Sequence, residues 1–194
     1  MRRNIILCGV GGQGTVLASR LISAAAMARG LPVLSAETIG MAQRGGSVFS
    51  HLRIGEGLYS PMIARGEADL IIAFEPGEGV RQLPFLKPGG AMIVSDRPVM
   101  PVTASLNGTD YRAADMLDFL SAQVPNLLVI SAEKGMRETG SPRVLNLILL
   151  GAAARAGALG LDEADLRAAI RERIAEKFHA LNDRALAWGA AAVS

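Results

Sequence analysis

Residues Asn4-Ile5-Ile6-Leu7-Cys8-Gly9-Val10-Gly11-Gly12-Gln13-Gly14 run from an apolar stretch straight into a glycine-rich turn. Short, almost continuously apolar runs of this kind are strands covered on both faces. After the turn, Val16, Leu17, Leu21, Ile22 and Ala25 recur at helical spacing between residues 13 and 29. Gly9, Gly11 and Gly14 therefore have the G-x-G-x-x-G spacing at a strand-to-helix junction. Glycine lets the backbone approach a ligand there, and the unpaired amides at the helix start face it with partial positive charge. Gly11, Gly12, Gln13 and Gly14 are candidate anion-binding residues on that ground. The bland alternative is tight packing of the helix on the strand.

Outward from this turn the chain keeps the same alternation. Apolar runs at 32–37, 68–74, 91–95 and 126–131 read as further strands, and the first unit reads β-α-β, a parallel pair with a right-handed crossover. Residues 47–54, the loop Gly55-Glu56-Gly57 and residues 58–60 read as a hairpin. The fold class is thus α/β, a three-layer Rossmann-like domain whose sheet is mostly parallel but mixed. Helices are expected over 76–86 and 110–122, the second capped by Asp110. From Ser141 onward the chain reads as wholly helical. Ser141-Pro142 starts a buried helix over 144–156, and a second opens near Asp162 and Asp165 with the stripe Leu166, Ile170, Ile174, Phe178 and Leu181. Its opposite face, with Arg167, Arg171, Glu172 and Lys177, reads as solvated. A single domain over 1–194, with its helical part at about 141–194, accommodates all of this.

Composition removes several function classes. The 20 basic and 18 acidic residues leave a net charge of +2 without basic blocks, and aromatic residues are only 4 % of the 194, so neither a phosphate-binding stripe nor a base-stacking platform is present for nucleic acid. A membrane span needs roughly 20 apolar residues, whereas the most apolar stretch, 144–154, is about half that and contains Asn146. The apolar run before Gly9 is too short for an export signal. Cys8 is the only cysteine, which fits a reducing cytoplasm and excludes a four-thiolate iron–sulfur site within the chain. Cys8, His51 and His179 have no metal-ligand spacing, so no metal site is expected, and no serine sits on a G-x-S-x-G elbow. The mean hydropathy of +0.30 is high, which points to apolar surface meeting another subunit.

A second segment, Glu37-Thr38-Ile39-Gly40-Met41-Ala42-Gln43-Arg44-Gly45-Gly46-Ser47, gathers groups that no core requires. Glu37 ends the second strand, where a dinucleotide fold keeps its ribose-binding acid, so a stand-alone NAD- or FAD-binding protein is one reading. The anion-seeking set beside it, Thr38, Gln43, Arg44, Gly45, Gly46 and Ser47, is more than an adenosine pocket needs. Ligands of open parallel sheets lie beyond the carboxyl ends of the strands. Glu75, Asp96 and Glu133 fall on that rim too, although Glu75 before Pro76 also suits a helix start and Asp96 a turn.

The strings Cys8 to Gly14, CGVGGQG, and Gly40 to Val48, GMAQRGGSV, with Glu37-Thr38 and Ser50-His51-Leu52-Arg53-Ile54-Gly55, resemble the gamma domain of the 2-oxoacid:ferredoxin oxidoreductases. Within that family the likeness is to the beta subunit of the indolepyruvate enzymes, and it continues through Ala68-Asp69-Leu70, Glu75-Pro76, Asn146 and residues 182–189. The resemblance implies a non-autonomous subunit of a cytoplasmic complex. That complex oxidatively decarboxylates a 2-oxo acid, forms an acyl-coenzyme A and passes electrons to ferredoxin. It places thiamine diphosphate, magnesium and iron–sulfur clusters in a larger alpha subunit, with none bound by this chain alone and no catalytic residue in it. The chain agrees, since it has one cysteine and no G-D-G…N-N diphosphate signature. The resemblance implies that residues 11–14, Thr38, Gln43, Arg44, Gly45, Gly46 and Ser47 contact coenzyme A phosphate or substrate carboxylate, with Glu37, Glu75 and Asn146 as secondary candidates. A pyruvate or branched-chain enzyme, or a scaffold subunit without a ligand, are the alternatives.

Overall fold

The computed structural model describes residues 2–37, 45–100 and 111–193. Six strands form one mixed sheet: β1 (Arg3–Val10), β2 (Val33–Glu37), β3 (Ser47–Ile54), β4 (Ala68–Ala73), β5 (Leu86–Ser95) and β6 (Asn126–Ile130), in the order β2-β3-β1-β4-β5-β6. β1, β4, β5 and β6 pair in parallel, while β3 runs antiparallel between β1 and β2. Among the described residues the helices are α1 (Thr15–Ala28), α2 (Pro76–Gln82), α3 (Ala113–Gln123), α4 (Ala132–Thr139), α5 (Leu145–Arg155), α6 (Glu163–Arg173) and α7 (His179–Ala191).

The period of two within the strands creates three layers. Ile5, Leu7, Leu70, Ile72 and Ile93 face a large core shared with α1 and α4 to α7, while Ile6, Cys8, Ile71, Ala73, Met92 and Val94 face a smaller one under α2 and α3. Helix α5 is buried at every position from Leu145 to Ala154, as its unbroken apolar run demands. It touches α7 through two glycines: a Cβ on Gly151 would lie 2.0 Å from the Leu186 carbonyl oxygen, and one on Gly189 would lie 1.9 Å from that of Ile148. Among the described residues, no helix is long and apolar enough to cross a membrane.

Four sequence expectations are corrected. β1 and β2 are not neighbours, because β3 is inserted between them. The insertion has a physical reason: β3 is buried on both faces at Ser50, His51 and Leu52, whereas β2 is only half-buried and takes the edge. Residues 58–60 form no strand, since both edges of β3 are already paired and leave no ladder for a hairpin partner. The chain instead turns away at Gly55 and Gly57, with φ of 117° and 69°. The helix expected over 76–86 stops at Gln82, and Leu83–Phe85 is a tight 3₁₀ turn carrying Pro84. The stripe from Leu166 to Leu181 is split between α6 and α7. His179 Nε2 lies 2.7 Å from the Ile174 carbonyl, the acceptor that a continuing helix would give to the Phe178 amide. The solvated face of α6 is in part an ion network, with Arg167 and Arg171 each reaching Asp183 of α7 at 3.0 and 3.1 Å. Asp110 lies outside the described residues, and α3 begins with Arg112 in the cap position.

Loop 55–67 is held by a buried histidine. The Ile63 amide donates to His51 Nδ1 at 3.0 Å, with Phe49 and Phe85 packed around the ring. Burial lowers the His51 pKa below 6.5, so the neutral ring that accepts this bond dominates at neutral pH. The folded state then binds fewer protons than the unfolded one as pH falls below 6.5. The bond contributes its full stability above that pH and loses it as pH drops through the lowered folded value. Thermal unfolding midpoints between pH 7 and 5 should fall more steeply for the wild type than for His51→Asn, whose carboxamide keeps an acceptor without titrating. Equal slopes would place the acid sensitivity elsewhere.

Candidate functional site

β1 delivers the glycine turn to the carboxyl edge of the sheet. Gly12 and Gly14 have φ of 99° and 88°, a left-handed backbone that favours glycine, and Gly14 occupies the N-cap position of α1 without a capping side chain. The second motif arrives from the other side, where Val10 pairs with Ser47 and the Gly11 amide donates to the Gly46 carbonyl at 2.9 Å. Residues 11–14 and Gly45, Gly46 and Ser47 are thus brought together. Thr38, Gln43 and Arg44 lie outside the described residues.

The donors divide into used and unused ones. Gln13 Oε1 accepts from the Val10 amide at 2.7 Å and its Nε2 donates to the Phe74 carbonyl at 3.0 Å, so this side chain is engaged at both ends. Ser47 Oγ donates to Glu78 at 2.5 Å. The amides of Gly12, Gly14, Thr15, Val16 and Leu17 donate to no acceptor among the described residues. These unpaired N–H groups at the start of a 14-residue helix are the anion-attracting part of the turn.

Of the acidic rim residues, Glu75 and Asp96 serve the protein itself. Glu75 caps α2 by accepting from the Glu78 amide at 3.0 Å, and its other oxygen accepts from the Tyr111 hydroxyl. Burial first, and then that carboxylate, push the Tyr111 pKa up. Glu78 accepts from Arg81 Nε at 3.3 Å besides Ser47. Asp96 accepts from Ser131 Oγ and the Ala132 amide, each at 3.0 Å, holding the start of α4. Burial, with Glu78 and Glu75 adding to it, pushes the Cys8 thiol up, so Cys8 stays a protonated core residue rather than a nucleophile. Among the described residues, no group of three His, Cys, Asp or Glu side chains is placed to hold a metal.

Asn146 lies directly beneath the turn, where a Cβ on Gly14 would sit 3.1 Å from its Nδ2. This residue is 2 % exposed, its Oδ1 accepts from the Leu147 amide, and its Nδ2 donates to nothing among the described residues. It lines a cleft of about 620 Å³ with Leu17, Arg143, Leu147, Arg173, Phe178 and Asn182. Asn182, 8 % exposed, donates to the Phe178 carbonyl at 3.0 Å. Glu37 stands apart, at the end of β2, in a neighbouring cavity of about 670 Å³ that shares Leu17 and Arg173. The arrangement suits a ligand with an anionic group at the α1 amides and apolar surface against Leu147 and Phe178. Sequence reading does not assign Arg143, Arg173, Phe178 or Asn182 to a site: Phe178 reads as a core stripe residue and Asn182 only as part of the resemblance over 182–189.

The family model for pyruvate ferredoxin/flavodoxin oxidoreductase matches residues 4–192. Indolepyruvate oxidoreductase subunit IorB of Thermococcus kodakarensis is 35 % identical over 188 residues, 96 % of this chain and 93 % of that one. The protein of the same name from Methanothermobacter thermautotrophicus is 36 % identical over 197 residues, all of both chains. Among solved structures, the gamma subunit of a keto/oxoacid ferredoxin oxidoreductase from Geobacter sulfurreducens has a similar fold, with a TM-score of 0.70 at 21 % identity over 98 % of both chains. The 2-oxoglutarate:ferredoxin oxidoreductase from Magnetococcus marinus, solved with 2-oxoglutarate, coenzyme A and succinyl-CoA bound, is similar over 99 % of this chain and 31 % of its own, with a TM-score of 0.74 at 23 % identity.

Proposed function

The chain belongs to the pyruvate ferredoxin/flavodoxin oxidoreductase family and is a subunit of a 2-oxoacid:ferredoxin oxidoreductase, and from that premise we propose that its complex acts on an aryl 2-oxo acid of the indolepyruvate type. The reaction joins a 2-oxo acid and coenzyme A to give an acyl-coenzyme A and carbon dioxide, the two electrons passing to ferredoxin and a proton to solvent. Decarboxylation beside a ketone needs an electron sink that side chains do not supply. Thiamine diphosphate with magnesium, and the iron–sulfur clusters, are assigned to the larger alpha subunit, in a complex working in the cytoplasm. The share of this chain is to bind and orient an anionic group of coenzyme A or of the oxo acid at the subunit boundary.

The observation that carries this reading is the set of unpaired α1 amides standing over the unpaired Asn146 Nδ2 at the mouth of a cleft. The Gly46-Ser47 segment lies against the same turn, so Gln43 and Arg44, which closely precede it in sequence, and Thr38, which follows the end of β2, are assigned to that anion site. Arg44 supplies the charge and bidentate geometry. A charge-assisted hydrogen bond is worth about 1.5–3 kcal/mol. In the reconstituted complex, Arg44→Ala should therefore raise the apparent KM for coenzyme A or the oxo acid about ten- to a hundredfold. Asn146→Leu should raise the same constant by a smaller factor. Wild-type constants in both variants would remove the anion-binding role and leave the scaffold reading.

A further inference from the structure

We infer that Gln13 is a positioning residue, a strut that sets the angle of the glycine turn so that the amides of Gly12, Gly14 and Thr15 converge on one point. This rests on the reading of the turn as an anion site. The glycine-rich fingerprint does not require a side chain at this position, and Gln13 commits its Oε1 to the Val10 amide and one Nε2 hydrogen to the Phe74 carbonyl, both backbone groups of the protein itself.

Three observations converge. First, Oε1 accepts from Val10 at 2.7 Å while the Gln13 amide donates back to the Val10 carbonyl at 3.2 Å, closing the turn on itself from both directions. Second, Nε2 bonds the Phe74 carbonyl at 3.0 Å, 61 residues away, which ties the turn to the end of the adjacent parallel strand. The Phe74 amide also bonds the Cys8 carbonyl at 2.8 Å, so the last backbone groups of β1 and β4 are cross-linked twice. Third, Gly9 is a glycine because of this side chain and its neighbour: a Cβ there would lie 2.6 Å from Gln13 Oε1 and 2.8 Å from Phe74 Cβ. The first glycine of the motif thus makes room for the strut and not for the ligand. Without it, Gly12 and Gly14, both at positive φ and with no side chains of their own, keep backbone bonds alone: Gly11 to Gly46, Gln13 to Val10 and Ala18 to Gly14. Glycine-rich backbone loses the most freedom on ordering, so the strut keeps that cost out of the binding step.

The test uses the assembled complex with two variants of unchanged side-chain length. Gln13→Met removes both ties, and Gln13→Glu keeps an acceptor for Val10 but presents a second oxygen to the Phe74 carbonyl. An ångström of misplacement at a binding group costs up to about a hundredfold. Gln13→Met is expected to raise the KM of whichever anion the turn holds at least about tenfold while kcat stays within about twofold, and Gln13→Glu should behave similarly. A role confined to holding the fold would instead lower the amount of assembled complex and leave the KM of what remains unchanged. Assembled variants with wild-type KM, or failure of both to assemble, would overturn the proposal. Asn146→Leu separates this failure from that of the reading beneath it. If Asn146→Leu raises KM and the Gln13 variants do not, the site stands and the strut falls; if none of the three changes KM, both fall.

Discussion

Gly189→Ala is expected to lower the unfolding free energy by about 3 kcal/mol or more, and Gly151→Ala by a similar amount. In an exposed helix the exchange would be worth about 1 kcal/mol in the opposite direction, because alanine is the better helix former. Packing reverses the sign here. The new methyl groups would stand 1.9 and 2.0 Å from the carbonyl oxygens of Ile148 and Leu186. These are backbone atoms of the facing helix, so no rotamer change makes room, and α5 and α7 must separate along a buried contact. α5 is enclosed on all sides, and a shift therefore spreads into the large core. It also reaches the cleft, since Asn146 belongs to α5 and Asn182 to α7. Denaturant midpoints of the two variants against wild type measure the effect. Free energies within about 0.5 kcal/mol of wild type would mean that the helices slide freely past one another.

The second large effect is all-or-none. The purified chain alone is expected to show no 2-oxo-acid-dependent formation of acyl-coenzyme A and no reduction of ferredoxin, and adding the larger subunit should restore both. The only thiol is buried in the centre of the sheet with its pKa pushed up. It is therefore unsuited to attack a carbonyl or to ligate iron. The carboxylates Glu75 and Glu78 are each bonded at both oxygens, holding α2, Tyr111, Ser47 and Arg81. Around the turn and the cleft, the described residues offer unpaired amides, carboxamides and arginines, which bind and orient. Turnover of an oxo acid by the pure chain would overturn the assignment of redox and carbanion chemistry to the partner.

The proposed anion site is partly visible in one dimension. The glycine turn stands out by its spacing and the residues following Glu37 by their side-chain types, and the structure brings Gly11 against Gly46. Spacing could not say which donors remain free. Gln13 and Ser47 have the residue types of ligand contacts, yet both are bonded to partners more than thirty positions away, Phe74 and Glu78. Glu75 and Asp96 likewise belong to helix starts. The cleft itself unites α1, α5, α7 and the break between α6 and α7. That break was illegible because neither proline nor glycine marks it; a His179 side-chain bond to the Ile174 carbonyl does.

The linear order of residues determined by itself the α/β class, the central strands buried on both faces, the turn at residues 11–14, the buried helix read over 144–156 and found over 145–155, and the family resemblance; the outer strands β2 and β6 are only partly covered. Each of these readings rests on local periodicity or on a motif read within a few neighbouring positions. Tertiary structure alone decided that β3 lies between β1 and β2, that two glycines let α5 and α7 touch, and that Gln13 faces inward. Those outcomes depend on which backbone groups meet across long sequence separations, and hydrogen bonding and close packing settle them only once the chain has folded.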